Sequence, residues 1–176
     1  MSVTCVPYIA EGWGRGELWL DGPRLVWHEL PRIPHPGRGP NPPPSRSTIP
    51  AKGARRGNGS ASEVEHLVHR VERYFRGDAV FFDDVELDDD GWTPFQRDVA
   101  TALRRVPYGE VVSYSDLARL AGYPRAQRAA GTFCAGNRFP LVLPCHRVVG
   151  AAGIGSYGSL GVDYKRRLLA LEGVAL

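Results

Sequence analysis

The sequence predicts an α+β chain: a small antiparallel-sheet domain over residues 1–90, then a mostly helical domain over 91–176 that carries a helix-turn-helix. Three observations predict it. Strand-like runs with a hairpin signal fill the first thirty residues, capped helical periodicities fill the second half, and a stretch rich in proline and glycine interrupts the first part. In order, Gly16–Leu20 and Arg24–His28 flank Asp21-Gly22, a strong hairpin signal. Residues 31–50 hold eight of the fifteen prolines, and Gly53, Gly57 and Gly59 follow, so about 31–60 reads as an irregular linker. Ser62 and Glu65 form the capping box of a helix with Val64, Leu67, Val68 and Val71 on one face, stopped by Gly77. The acidic run up to Asp90 reads as a solvated connection.

The second half opens with another capping box, Thr93-Pro94-Phe95-Gln96, proline standing at the first helical position; Phe95, Val99, Leu103 and Val106 mark the buried face. Ser113 and Asp116 cap a short helix with Leu117, Ala118, Leu120 and Ala121 as its apolar stripe. Gly122-Tyr123-Pro124 turns the chain into a second helix, Arg125 to Ala135, which exposes Arg125 and Arg128. Its Ala126, Ala129, Ala130 and Gly131 are small enough to let a backbone approach a nucleic-acid groove. A last helix, about 162–172, carries Val162, Leu168, Leu169 and Leu171 and ends at Gly173.

Charge and composition narrow the class. The formal net charge of +3 names no partner, but residues 1–90 balance at −3 and residues 91–176 at +6, so the second half is the one suited to a polyanion. No run approaches a membrane span in length, and the N-terminal residues have neither the basic nor the apolar region of a secretory leader. Three cysteines, Cys5, Cys134 and Cys145, make no disulfide framework and fit a reducing compartment; a cytoplasmic protein is expected, nucleoid-associated in a bacterial cell.

The chemistry concentrates in Leu141-Val142-Leu143-Pro144-Cys145-His146-Arg147-Val148-Val149-Gly150, where a cysteine and a His-Arg pair stand between two apolar, strand-like runs. A thiol is a nucleophile as its thiolate, which a nearby imidazole or guanidinium favours and burial opposes. Neighbours in an extended chain point to opposite faces, so direct contact between Cys145 and His146 is not required. A buried structural cysteine beside a satisfied histidine is the competing reading of that dipeptide.

Pro144-Cys145-His146-Arg147-Val148 resembles the active-site signature of the O6-alkylguanine-DNA alkyltransferases, or methylated-DNA–protein-cysteine methyltransferases. The resemblance extends over about 92–173, through Gly109-Glu110-Val111-Val112-Ser113-Tyr114, Arg128-Ala129-Ala130-Gly131 with Gly136-Asn137, Ser156-Tyr157-Gly158, and Leu168–Gly173. It implies an RNase H-like N-terminal sheet, a helix-turn-helix, and a one-step transfer of an alkyl group from O6 of guanine to Cys145. It further implies His146 as base through a bridging water, Glu172 as its orienting carboxylate, Asn137 as brace of the turn, and Tyr114 as donor to the guanine ring. Tyr157, Val148 and Ser159 would line the substrate pocket. Arg128 would fill the space left by a nucleotide rotated out through the minor groove, while Arg125, Ala126, Ala129, Ala130, Gly131 and Tyr114 would meet the duplex.

The implied partner is double-stranded DNA containing O6-alkylguanine, with O4-alkylthymine an open extension; no cofactor and no membrane are implied. The protein is expected to be monomeric in solution, cooperativity on DNA being left open. Certain family members hold zinc in the N-terminal half, but Cys5 and His28 lack further donors, and His66 and His69 fit a solvated helix, so no metal is expected. A lesion sensor that does not react, and a cysteine hydrolase built on Cys145 and His146, are the alternatives. Transfer of label from lesioned DNA to Cys145 separates both from the first reading.

Overall fold

The computed structural model describes residues 3–33 and 61–176, so the linker predicted at 31–60 lies, from residue 34 onward, outside the described residues. The chain divides into two compact units, Met1–Val80 with Asp84–Gly91, and Phe81–Asp83 with Trp92–Leu176. Among the described residues no helix is long and apolar enough to cross a membrane.

In the first unit β1 (Val3–Ala10), β2 (Gly14–Asp21) and β3 (Arg24–Arg32) form an antiparallel meander. The β2–β3 turn falls one residue later than the hairpin signal, because Asp21 pairs with Arg24 and leaves Gly22 and Pro23 as the loop. Gly22 takes φ 61°, the left-handed conformation that a two-residue hairpin loop requires and glycine supplies. One sheet face buries Tyr8, Leu18, Leu20 and Leu30, and α1 (Ala61–Phe75) buries Leu67, Val71, Tyr74 and Phe75. The Tyr8 hydroxyl shares a 2.7 Å hydrogen bond with His28 Nε2, so the buried imidazole is satisfied within the core.

The first unit also departs from the sequence reading at α1 and at the acidic run. Helix α1 already includes Ser62, which therefore sits in its first turn and is not its cap. The acidic run is docked instead of free: Leu25 N donates to Glu86 O (2.8 Å), Asp88 N to Leu25 O (2.9 Å), and Arg24 Nη2 to Asp88 Oδ1 (2.8 Å). A cation on the strand edge thus fixes a segment whose charge alone suggested solvation.

In the second unit, α2 (Pro94–Arg104) begins at the predicted capping box: Thr93 N donates to Gln96 Oε1 (2.8 Å) and Gln96 N to Thr93 Oγ1 (3.3 Å). Ser113 and Asp116 cap α3 (Tyr114–Leu120) in the same way. Leu117 and Ala118 are buried, but Leu120 is 61% exposed and leaves the predicted stripe. Helix α4 spans Gln127–Ala135, so Arg125 lies in the preceding turn and Ala126 at the N-cap, not within the helix. The segment expected as an active-site strand is a turn at 141–143 and a 3-10 turn, Cys145–Arg147; only Val148–Val149 (β5) is extended. Strand β5 pairs in parallel with β4 (Val112–Ser113), and α5 (Gly161–Leu171) follows, with Glu172 as its C-cap.

Candidate active site

Cys145 opens its 3-10 turn because the residue before it is proline. Pro144, at φ −77° and ψ 64°, is the centre of an inverse γ-turn in which Cys145 N donates to Leu143 O at 2.7 Å. Upstream, Leu143 N reaches Phe139 O (2.8 Å), and the loop between them holds Leu141 at φ 70°, a strained conformation for a leucine. Asn137 ties this loop together. Its Oδ1 accepts from Phe139 N (2.9 Å), while its Nδ2 donates to Leu143 O (2.8 Å) and to Cys145 Sγ (3.0 Å).

Cys145 is 7% exposed. Burial pushes its pKa up; the Asn137 amide, the Tyr157 hydroxyl and the Lys165 charge pull it back without winning, so the resting sulfur is protonated. His146, fully buried, places Nε2 2.7 Å from Glu172 Oε1. Burial lowers the imidazole pKa despite the carboxylate beside it, and the Arg147 and Lys165 charges push the same way. Glu172 is raised by burial but carried down further by His146 and Arg147, to about 2. A neutral imidazole against an ionised carboxylate carries its proton on Nε2, which makes Nδ1 the basic nitrogen.

Glu172 accepts from three further donors: Arg147 Nε on Oε2 (2.9 Å), Arg147 Nη2 on Oε1 (3.0 Å), and Gly109 N on Oε2 (3.1 Å). Lys165, also fully buried, donates to Val148 O at 2.6 Å. The β4–β5 pairing brings Tyr114, at the start of α3, to the same place. A Cβ added at Gly131 would meet the Tyr114 ring at 3.7 Å, and one at Gly155 would meet that ring at 3.9 Å and Lys165 Nζ at 3.8 Å. Burial raises the Tyr114 pKa, with the two thiols Cys134 and Cys145 adding to it. Beside it opens a cleft of about 370 Å³ whose lining includes Tyr114, Gln127, Arg128, Gly131 and Ala151.

The buried thiol and the His146–Glu172 pair thus stand in the same unit as a cleft lined by Arg128. The family profile described as the 6-O-methylguanine DNA methyltransferase DNA-binding domain matches residues 94–174. The methylated-DNA–protein-cysteine methyltransferase of Methanopyrus kandleri is 41% identical over 131 residues, covering 74% of this chain and 91% of that protein. The chain belongs to the methylated-DNA–protein-cysteine methyltransferase family. The crystal structure of Mycobacterium tuberculosis O6-methylguanine methyltransferase superposes with a TM-score of 0.73 at 32% identity, covering 97% of this chain and 93% of that one. The structure of M. tuberculosis OGT in complex with DNA gives a TM-score of 0.69 at 31% identity, over 96% and 92% of the two chains.

Of the residues singled out as methyltransferase site residues, Asn137 is bonded to Cys145 and His146 to Glu172, the two pairs meeting at the adjacent residues Cys145 and His146, and Tyr114, Arg128 and Gly131 line the cleft. Tyr157 is buried, and its hydroxyl acts on the Cys145 sulfur. Val148 is wholly buried and offers its carbonyl to Lys165; Ser159 is exposed on the 3-10 turn Gly158–Leu160. Arg125 and Ala129 are exposed and Ala126 half-buried, but Ala130 is fully buried, so it packs α4 onto the core and cannot meet a duplex.

Sequence reasoning missed two charged residues. The sequence reading assigns no role to Arg147, whose guanidinium turns to Glu172, nor to Lys165, which is the cation acting on Cys145. A signal existed for Lys165, which lies on the stripe of α5 shared by Leu168 and Leu169, where a charge must be paired to be buried.

Proposed function

We propose that this protein repairs DNA directly, moving the alkyl group of O6-alkylguanine onto Cys145 irreversibly and once per molecule. The observation that carries the reading is the bonded set Asn137–Cys145 and His146–Glu172 beside a cleft reached from α3 and α4. His146 Nδ1 takes the thiol proton through a water. Sulfur then attacks the alkyl carbon, an S–C bond forms, and the C–O6 bond breaks with its electron pair left on the guanine. The Tyr114 hydroxyl supports the departing base as hydrogen-bond donor. A thioether is a poor leaving group, so nothing regenerates the thiol, and the reaction uses no cofactor.

In this reading α3 and α4 act as a helix-turn-helix laid in the minor groove, the N-terminal sheet is RNase H-like, and the lesion is rotated out of the stack. Arg128, exposed on α4 at the rim of the cleft, fills the gap. A cytoplasmic, monomeric protein acting on duplex DNA fits this role, with O4-alkylthymine as a second lesion.

The test uses duplex DNA carrying radiolabelled O6-methylguanine. Label should pass to protein one-to-one and be absent with Cys145→Ser; label left on DNA by the wild-type protein would overturn the reading. Arg128→Ala should lose far more activity on duplex than on free O6-benzylguanine, and equal losses would remove Arg128 from the flipping role.

A further inference from the structure

Arg147 follows the acceptor by two residues, is 7% exposed, and gives its hydrogen bonds to Glu172 and to the Val106 carbonyl. Nε and Nη2 grip the two oxygens of Glu172 in the two-pronged geometry that suits a carboxylate, and Nη1 reaches Val106 O at 2.7 Å. The guanidinium carbon stands 5.7 Å from the Tyr108 ring centroid, and the Tyr108 hydroxyl donates to Leu171 O at 3.0 Å, so the cation is held from behind. With His146 Nε2 and Gly109 N added, the carboxylate accepts four hydrogen bonds and has little freedom to rotate.

The consequence concerns where the His146 proton sits. A buried imidazole facing a lone carboxylate can become an imidazolium paired with it, and such a histidine has no lone pair left for the thiol proton. A permanent guanidinium on the same carboxylate cancels that pull. We propose that Arg147 is a positioning residue of the alkyl transfer: it clamps Glu172 so that His146 rests neutral, with its proton on Nε2 and Nδ1 ready to accept. This rests on the alkyl-transfer reading above.

The charged groups acting on His146 are Glu172 and Lys165, from the cap of α5 and from α5 itself, and Arg147 from its own turn. Only Glu172 favours the imidazolium; Arg147 and Lys165 oppose it. Removing the Arg147 charge therefore makes His146 protonate at higher pH, and the base is lost first on the acid side.

The experiment measures transfer from free O6-benzylguanine across about pH 5 to 9 for the wild type, Arg147→Met and Arg147→Lys, together with 15N NMR of the His146 ring. Arg147→Met should move the acid limb upward by about one pH unit, roughly a tenfold loss on the acid side that closes above neutrality. Arg147→Lys keeps the charge without the fork and should hold the limb in place with a lower plateau. The wild-type ring should show an unprotonated Nδ1 near pH 7. Equal loss at every pH, an Arg147→Lys profile matching Arg147→Met, or a wild-type ring protonated on Nδ1 would each overturn the proposal. If Arg147→Met does not fold, the lysine variant and the wild-type ring still decide it. If the wild type transfers nothing, the alkyl-transfer reading fails, while the ring spectrum still reports the tautomer.

Discussion

Asn137→Ala should unsettle both the stability and the chemistry of the second unit, and the structure apportions the loss. Phe139 N gives its hydrogen to Asn137 Oδ1 at 2.9 Å in a residue that is fully buried. Without the side chain that amide has no partner, at a cost of about 1–3 kcal/mol. Leu143 O loses the Asn137 donor but keeps Cys145 N at 2.7 Å, so its share is only about 1 kcal/mol. The total is about 2–4 kcal/mol, before any relaxation of Leu141 from φ 70°. Sγ simultaneously loses its 3.0 Å donor, so the thiol ionises less readily. Urea unfolding reads the first effect. Iodoacetamide labelling of the Cys145 peptide, followed by mass spectrometry, reads the second. A stability loss under about 1 kcal/mol with labelling undiminished would show that the amide neither holds this turn nor serves the sulfur.

Three further outcomes are expected. Glu172 titrates near 2 instead of 4.5, which contributes about 3 kcal/mol that is fully present above pH 4.5 and lost as pH falls toward 2. Acid titration of stability should show that loss in the wild type and a smaller one in Glu172→Gln. Lys165→Met should slow Cys145 labelling several-fold at neutral pH, and the gap should close at high pH, where the sulfur ionises without help. Ser113→Ala removes the cap bond from Asp116 N (3.0 Å) and should cost about 1 kcal/mol, measured by urea unfolding.

The elements legible in the sequence are those fixed by near neighbours. Both predicted caps of the second half, Thr93 with Gln96 and Ser113 with Asp116, form as read, because a capping box closes within four residues. What escaped depends on distant partners. The docking of Asp88 needs Arg24, more than sixty residues earlier, and the burial of Lys165 needs the Val148 carbonyl from another element. The strand expected around Cys145 failed for a related reason. Its two apolar runs read as buried strand, yet the segment pairs for only two residues, because Pro144 and the Asn137 bonds bend the chain before Cys145. Burial there reflects the core around a turn, and hydrophobicity alone does not distinguish the two.

The charges around the sulfur show how a raised thiol pKa and a nucleophile coexist. At rest Arg147 and Glu172 cancel, while Cys145 and His146 are neutral. The Lys165 ammonium is then a buried charge whose pKa burial pushes down, and ionisation of Cys145 or Cys134 would raise it again. In the proposed transfer, moving the Cys145 proton to His146 creates a negative sulfur that the Lys165 ammonium attracts. Forming the thioether removes the sulfur charge again. The attraction to Lys165 therefore exists only between ionisation and bond formation, and an interaction confined to the activated state lowers the barrier without stabilising the resting thiol. Burial, which by itself suppresses the thiolate, also keeps water from screening the charge that calls it up.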